Sequence, residues 1–599
     1  MILILGGTTE GRLAVRVADA AGSPYWYSTR GDLQQIECKN GTHITGALDE
    51  AAMAAFCTEH GIRLLVDAAH PFAAELHRTV ASVAESLDLP VIRVDRIYPP
   101  EDPSIRWCSD YADAVSRLEA DGVTRLLALT GVQTIGRLRP YWSRHDCWFR
   151  ILHRDESLER AAAEGFPVAR LVYYEEDDEA ELIARLKPQA ILTKDSGESG
   201  GFDRKVEAAR AAGITVYAVR RPALPAGFEV VTGEHGLRKA IERLAPGFFP
   251  LRSGFTTGAC ATAAAKAALL CLLGRPVGDS VEIGFPDGEQ LALPVASCEL
   301  DNASATASVV KDAGDDPDVT NGISVVATVA FSDEPGVHFL QGEGVGRVTL
   351  PGLGLPIGGP AINRVPRQMM ENELTALYDG GLDVTISVPG GRELALRTFN
   401  PKLGVVDGIS IIGTSGIVRP FSNEAFVESI RREVEVAIAV GTPLLVINSG
   451  AKSEAFLKAR YPELPAQAFV HYGNFIGETL KIAAELKVPG VVMGIMIGKA
   501  VKLAEGHLDT HSNNVVMNKA FLKEVASEAG CSPAAAEAID RLTLARELWD
   551  GLPAADYELF FEAILKRCEE ACATIYPAQG DKGQLTILLL KENGETFRF

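Results

Sequence analysis

Near Pro250 the sequence starts again. A full alternation of apolar runs and helical patterns has ended by then, and SGFTTGACATAAAKAALL at residues 253–270 opens a new glycine-bearing turn and helix start. A chain that begins twice is not one continuous doubly wound sheet, so at least two separately built units are expected on one polypeptide. The length of 599 residues agrees, because a single hydrophobic core stops growing at about 250–300 residues.

In the first part, the apolar run ILIL at 2–5 is followed by GGTTEGR at 6–12 and an Ala/Val-rich amphipathic stretch, which reads as strand, tight turn and helix. Glycines let the backbone approach an anion at such a turn. First-turn amides and the helix dipole stabilise the charge, and Thr8 and Thr9 add hydroxyl donors. The spacing is not GxGxxG, and a purely structural turn would use the same glycines. Further strands are read at 25–27, 63–68, 90–94, 125–130, 169–173, 190–193 and 215–219, with helical patterns between most of them, so parallel sheets are expected. Ligands bind beyond the carboxyl ends of such strands, where DAAHPFA (67–73), TGVQTI (130–135) and TKDSGESGG (193–201) fall. Lys194 and Asp195 suit either positioning and protonation of a substrate or a surface pair capping the next helix. His70, before a proline, suits either catalysis or a hydrogen bond within its turn.

The second part follows a turn-rich linker, APGFFPLRSG. Thr256, Thr257 and Gly258 make another anion-friendly helix start, and equally an ordinary cap. DAGDDPDVTNG (312–322) packs four aspartates around a proline, which favours a solvated or substrate-facing loop over a cation cage. The Gly/Pro-rich run at 343–367 is longer than a connection needs, and loops of that length are usually functional. After TFNPKLGVVDGISIIGTSGIVRP (398–420), an amphipathic helix at 423–440, a buried strand at 444–447 and the turn NSGAKSEA restore the strand, turn, helix order. GKAVKLAEGHLDTHSNN (498–514) places His507 and His511 four apart, but no HExxH glutamate accompanies them and a loop is expected, so no protein-bound metal is expected.

Composition narrows the function class. With 47% apolar residues, several cores are available, and a formal charge of −21 disfavours binding to polyphosphate. The ten cysteines form no CxxC pair or zinc spacing. No signal core or uninterrupted apolar span is read, so a cytoplasmic protein without membrane or nucleic-acid partners is expected.

In combination, GGTTEGR, DAAHPFA, TKDSGESGG and the closing RRP (220–222) resemble the precorrin-6A/cobalt-precorrin-6A reductase family of cobalamin biosynthesis over residues 1–243. That resemblance implies two Rossmann-like lobes, NADH or NADPH in the cleft between them, and reduction of one macrocycle double bond. It places Gly6, Gly7, Thr8, Thr9 and Gly11 at the cofactor pyrophosphate and Ser28, Thr29 and Arg30 near its ribose, and leaves Lys194, Asp195 and His70 as candidates for the catalytic acid. Residues 250–599, through SGFTTGACATAAAKAA, DAGDDPDVTNG, VTLPGL to GPAINRVPR, TFNPKLG to GTSGIVRP and GKAVKLAEGHLDTHS, resemble the cobalt-precorrin-5B C1-methyltransferase family. Gly359, Arg364, Asp407 and Arg419 stand where that pattern leads one to expect Glu, Pro, Gly and Glu.

The second resemblance implies S-adenosyl-L-methionine as methyl donor. Thr256, Thr257 and Gly258 form one cradle, Gly413, Thr414, Ser415, Asn448, Ser449 and Gly450 lie around the nucleoside, and Arg367, Lys499, Lys502 and His511 meet the carboxylates of the tetrapyrrole. The expected architecture is α/β throughout. Lobes at about 1–123 and 124–243 are followed by a linker at 244–254, an α+β subdomain at about 255–395 and an α/β subdomain at about 396–599. The combined expectation is methylation of cobalt-precorrin-5B followed by reduction of cobalt-precorrin-6A in one chain, with homo-oligomerisation and transient contact with neighbouring pathway enzymes compatible with it. The competing readings are a dinucleotide oxidoreductase fused to a nucleotide-sensing module or to a small-molecule kinase, although no GxxxxGK[ST] is present.

Overall fold

The computed structural model describes residues 1–31, 36–98, 100–174, 178–511, 517–577 and 584–597. The chain divides into two compact units, Met1–Leu251 and Arg252–Phe599.

Two six-stranded sheets build the first unit. One runs in the order Phe228–Thr232, Val91–Asp95, Leu64–Asp67, Ile2–Leu5, Tyr25–Thr29, Gly41–Thr45, and every neighbouring pair is parallel. The other runs Arg106–Cys108, Thr215–Val219, Ala190–Lys194, Arg125–Ala128, Asp146–Ile151, Leu171–Tyr173, again all parallel. Ile2, Leu3, Ile4 and Leu5 are all buried, which is why this strand reads as an unbroken apolar run: a parallel strand is covered on both faces. The chain passes between sheets after Asp95 and returns with Phe228–Thr232, which pairs beside Val91–Asp95.

Strand order reverses between Ile2–Leu5 and Leu64–Asp67 in the first sheet and between Arg125–Ala128 and Ala190–Lys194 in the second. The glycine turn, DAAHPFA, TGVQTI and TKDSGESGG all leave strands flanking these two reversals. Such a reversal splays consecutive connections apart and opens a crevice at the carboxyl ends of the strands.

The second unit joins two layered parts. Its first sheet runs Ser297–Leu300, Ser304–Val310, Ser324–Ser332, Gly381–Ser387, Val337–Gln341, antiparallel except for the last pair. The helix Thr257–Leu272 lies on this sheet, and its alanines, from Ala259 to Ala268, share a core with Val325, Val329 and Val384. Small side chains bring helix and sheet close. The second sheet runs Phe469–His471, Leu445–Asn448, Gly490–Met496, Gln584–Leu590, Thr596–Phe597, the first four parallel. An α+β part thus precedes an α/β part, as the sequence indicates. No helix among the described residues is long and apolar enough to cross a membrane.

Candidate active sites

In the first unit the glycine turn is shaped by Tyr27. A Cβ on Gly6 would lie 2.4 Å from the Tyr27 ring, and one on Gly11 would lie 2.7 Å from its hydroxyl, so a larger residue at either position requires Tyr27 to move. Gly7 has φ +98 and open space where a side chain would be, while its N–H donates to Tyr27 Oη at 3.0 Å. Thr8 caps the helix Thr9–Asp19: its Oγ1 accepts from the Gly11 N–H at 3.1 Å and donates to the Ala68 carbonyl at 2.7 Å. Ser28 and Thr29 are buried, and Thr29 Oγ1 bonds His43 Nε2 at 2.7 Å. Gly7, Thr9 and Arg30 are the members of this set left exposed.

Lys194 and Asp195 are adjacent in sequence and diverge in space, because successive side chains along an extended strand point to opposite faces. Lys194 Nζ stands 5.5 Å from the centre of the Phe72 ring, and the Phe72 N–H donates to His70 Nδ1 at 3.1 Å. The end of a second-sheet strand therefore meets the loop beyond a first-sheet strand. Burial, reinforced by Lys205, Arg137 and Arg96, brings the Lys194 ammonium down to about 8. Burial and then the Lys194 charge push His70 down to about 3, so its imidazole is neutral near pH 7. Asp195 instead faces Arg221 at 3.2 Å, whose guanidinium lies 3.5 Å over the Tyr98 ring. Burial raises the Asp195 carboxyl against the pull of Arg221.

Sequence reasoning missed the pair that links these loops. Arg96, just past Val91–Asp95, donates to Glu10 at 2.9 Å and to the Ser196 carbonyl at 2.6 Å, and Ser199 Oγ donates to the other Glu10 oxygen at 2.7 Å. An acidic residue inside a glycine turn expected to hold an anion was the available signal.

In the second unit the helix start at Thr256 is occupied by protein. Thr256 Oγ1 accepts from the Ala259 N–H at 3.2 Å, the Gly258 N–H donates to the Ile412 carbonyl at 2.9 Å, and the Ile412 N–H donates to Thr257 Oγ1 at 2.9 Å. Gly413 has φ +140 and a Cβ there would lie 2.3 Å from Thr256 Oγ1. Thr256, Thr257, Gly258 and Gly413 therefore form one joint, with Thr414 and Ser415 exposed beyond it. The four aspartates of 312–322 are likewise engaged by the protein, Asp312 and Asp315 both pairing with Arg252 at 3.8 and 3.4 Å. Asp312 takes the Gly314 N–H, Asp315 the Arg252 N–H, Asp316 the Phe421 N–H, and Asp318 pairs with buried Lys311 at 2.8 Å.

A cleft of about 500 Å³ opens beside the first sheet of this unit, lined by Glu343, Arg347, Arg392, Glu393 and Asp407 among others. Asp407, at φ +66, binds Arg392 at 2.9 Å and reaches Arg347 at 3.5 Å. Asp tolerates this left-handed conformation better than most side chains, which reconciles it with a position where the sequence pattern leads one to expect Gly. Beneath the cleft, Cβ atoms on Gly391 and Gly408 would come within 2.2 and 2.3 Å of the Gly344 carbonyl oxygen. Arg367 is turned inward, donating to the Ile362 and Pro360 carbonyls at 2.7 and 3.3 Å over the Phe339 ring.

At the carboxyl ends of Leu445–Asn448, Phe469–His471 and Gly490–Met496 a polar cluster does assemble. Asn448 is fully buried, its Oδ1 accepting from the Gly450 N–H at 3.2 Å and its Nδ2 donating to the Val470 carbonyl at 3.1 Å. The Ser449 N–H donates to Ser453 Oγ at 3.1 Å. Lys499 Nζ donates to the Gly473 carbonyl and lies 5.6 Å from the Tyr472 ring, and Lys502 Nζ donates to the Thr510 carbonyl at 3.1 Å. Burial, together with Lys502, lowers the Lys499 ammonium to about 8, and burial lowers Lys502 as well. His507 stands at 3.6 Å from Glu505, and the His511 N–H donates to Asp509 at 3.0 Å, both beyond the helix Ile497–Ala504. Residues 512–514 of that motif lie outside the described residues. His471, Tyr472 and Asn474 join the cluster without having been singled out in the sequence, because a three-residue strand end gives no periodic signal.

Comparison with known proteins follows the same division. Residues 1–244 match the family described as precorrin-6x reductase CbiJ/CobK, residues 246–420 match CbiD, and residues 509–597 match the CbiD C-terminal domain. The cobalt-precorrin-5B C(1)-methyltransferase of Prosthecochloris aestuarii is 46% identical over 339 residues, which are 55% of this chain and 92% of that protein. That of Geobacillus thermodenitrificans is 45% identical over 326 residues, 54% of this chain and 88% of the relative. A solved CobK precorrin-6A reductase aligns at 23% identity and a TM-score of 0.35, covering 41% of this chain and 97% of that one.

Proposed function

Because the chain belongs to the cobalt-precorrin-5B C(1)-methyltransferase family over its second unit and carries the precorrin-6x reductase family at residues 1–244, we propose that it is one enzyme performing two consecutive steps. The second unit methylates C1 of cobalt-precorrin-5B, and the first reduces the resulting cobalt-precorrin-6A to cobalt-precorrin-6B. Both steps take place on a soluble tetrapyrrole in the cytoplasm.

The observation that carries the reduction is the meeting of Lys194 with the His70–Phe72 loop at the strand-order reversals. A nicotinamide dinucleotide supplies the hydride when bound. The residues fit it: Gly7 leaves open space at the turn, Thr9 is exposed in the first helical turn, and Arg30 is exposed past Tyr25–Thr29 for the ribose or a 2′-phosphate. Lys194, still cationic up to about pH 8, delivers the proton or anchors a substrate carboxylate, whereas neutral His70 donates from Nε2, since Nδ1 already accepts. Asp195 orients Arg221 rather than the reacting ring.

For methyl transfer, the Asn448–Gly450 turn supports a nucleoside site at the end of a parallel strand, with the exposed Thr414 and Ser415 as a further loop toward the donor. S-adenosyl-L-methionine supplies an already activated methyl group, so the protein's work is alignment and exclusion of water. Lys499, Lys502 and His511 meet the substrate's carboxylates. The test is mass spectrometry of the purified protein with cobalt-precorrin-5B and S-adenosyl-L-methionine, without and then with NADH or NADPH. A gain of one methyl, followed by a gain of two hydrogens only when the nicotinamide is added, is expected. No methyl gain under conditions that support an authentic methyltransferase overturns the assignment of the second unit.

A further inference from the structure

Phe421 is exposed and conformationally strained. Its relative accessibility is 69% and its φ is +54, in the left-handed region that bulky side chains rarely adopt. The strain is held from outside: the Phe421 N–H donates to the Asp316 carboxylate at 3.2 Å, so the acidic loop fixes this backbone. An ordinary local role was available to the side chain. Ser422 caps the helix Asn423–Ala439, accepting from the Ala425 N–H at 3.1 Å. A hydrophobic residue just before such a cap normally packs on the residue four into the helix, here Phe426, as a staple. Phe426 instead packs against His471, with ring centres 5.8 Å apart, and lies 3.0 Å from where a Cβ of Gly473 would be. The Phe421 side chain remains largely exposed, and backbone strain at an exposed bulky residue is characteristic of ligand-binding positions.

Its surroundings indicate the ligand. Phe426 places the start of this helix over the HYGNF segment, whose Gly473 carbonyl receives Lys499. Five residues span at most about 18 Å, so Phe421 lies within that reach of Phe426, which itself packs on this segment. Arg419, two residues earlier, is exposed as well. A flat apolar face bordered by cations is complementary to a planar macrocycle with carboxylate arms. We propose that Phe421 is the stacking platform for the tetrapyrrole in the second unit, held in a strained backbone by Asp316 so that its ring faces the substrate. This deepens the methyltransferase reading and rests on it.

The test uses the full chain with cobalt-precorrin-5B, titrated by visible absorbance and assayed with S-adenosyl-L-methionine. Phe421→Ala is expected to weaken tetrapyrrole binding about tenfold and to leave the KM for S-adenosyl-L-methionine unchanged, with Phe421→Trp restoring affinity. Phe421→Gly is expected to weaken the tetrapyrrole equally while raising the Tm of the second unit, because glycine accepts the positive φ without strain. Equal affinity in wild type, Phe421→Ala and Phe421→Gly overturns the platform. Wild-type protein that binds the tetrapyrrole but transfers no methyl overturns the activity reading alone, and wild-type protein that binds none overturns both.

Discussion

The Arg96 guanidinium and the Glu10 carboxylate form a buried ion pair at 2.9 Å that joins the two strand-order reversals of the first unit. Glu10 lies in the first turn of the helix after the glycine turn, and Arg96 also holds the Ser196 carbonyl of the second-sheet loop. Burial by itself would raise the Glu10 carboxyl, but the Ser199 and Arg96 hydrogen bonds outweigh it and hold the group below its ordinary range. The helix dipole favours the same charge at that position.

Glu10→Gln leaves Arg96 buried beside a neutral amide. Breaking a buried pair in this way costs about 3 kcal/mol, so the transition of the first unit in calorimetry is expected to shift down while that of the second stays in place. The pH dependence has a definite sign. With the folded carboxyl depressed, its stabilisation is complete above the ordinary carboxylate range and is lost as pH falls through the folded value. The Gln variant loses that acid-side dependence.

Lys194 sets an alkaline limb. Its ammonium loses the proton near 8, so reductase turnover is expected to fall above about pH 8, and Lys194→Met to lower the rate about a hundredfold and flatten that limb. His70, held near 3, stays neutral from pH 5 to 9 and contributes no limb near its usual value. A limb between pH 6 and 7 that disappeared in His70→Gln would contradict this arrangement. For stability, the unfolded lysine keeps its proton to higher pH than the folded one, so the contribution of Lys194 becomes more favourable as pH rises above about 8.

Tyr27 and Gly6 were made for each other sterically. Gly6→Ala brings a Cβ to 2.4 Å from the ring, which must then move and release the Gly7 N–H from Tyr27 Oη. Weaker nicotinamide binding is expected in isothermal titration, with the second unit unaffected. Gly6→Ala combined with Tyr27→Leu relieves the clash, and the two effects are expected to be non-additive.

The legible parts of this chain were those in which local pattern and tertiary role coincide. Ile2–Leu5 and residues 445–447 are continuous apolar runs because neighbours cover both faces, and the polar residues beyond them announce strand ends. Asp146–Ile151 did not read as a strand because Asp146 and Arg150 interrupt its apolar run, and Arg150 is buried by pairing with Glu179 at 2.7 Å and stacking over Tyr174. Gly41–Thr45 is an edge strand with no fully buried residue. The pair Lys194–Asp195 was visible, but which member faces the crevice depends on strand register. Contacts such as Thr256 with Gly413 link residues far apart in sequence, and no local period encodes them.

That joint gives a stability prediction for the second unit. Gly413→Ala meets both an unfavourable φ of +140 and a contact of 2.3 Å with Thr256 Oγ1, and is expected to cost about 2 kcal/mol in denaturant unfolding. Thr256→Gly alone is expected to cost only a few tenths of a kcal/mol, since glycine is an acceptable cap. In the double variant the steric part vanishes and the backbone part remains. The residual penalty therefore separates the two causes.

Lys499 tests whether the strand-end cluster of the second unit handles carboxylates. Burial and the neighbouring Lys502 bring its ammonium to about 8, and its hydrogen bond to the Gly473 carbonyl fixes where the charge sits. If that charge meets the tetrapyrrole, the KM for cobalt-precorrin-5B rises as pH passes about 8 while the KM for S-adenosyl-L-methionine stays flat. Lys499→Gln keeps a donor for Gly473 but carries no charge, so it is expected to show the high-pH KM at every pH, about tenfold above wild type at pH 7. An unchanged KM with reduced thermal stability would instead assign Lys499 to holding the HYGNF segment in place. A rise in both KM values would shift the contact toward the nucleoside side of the crevice.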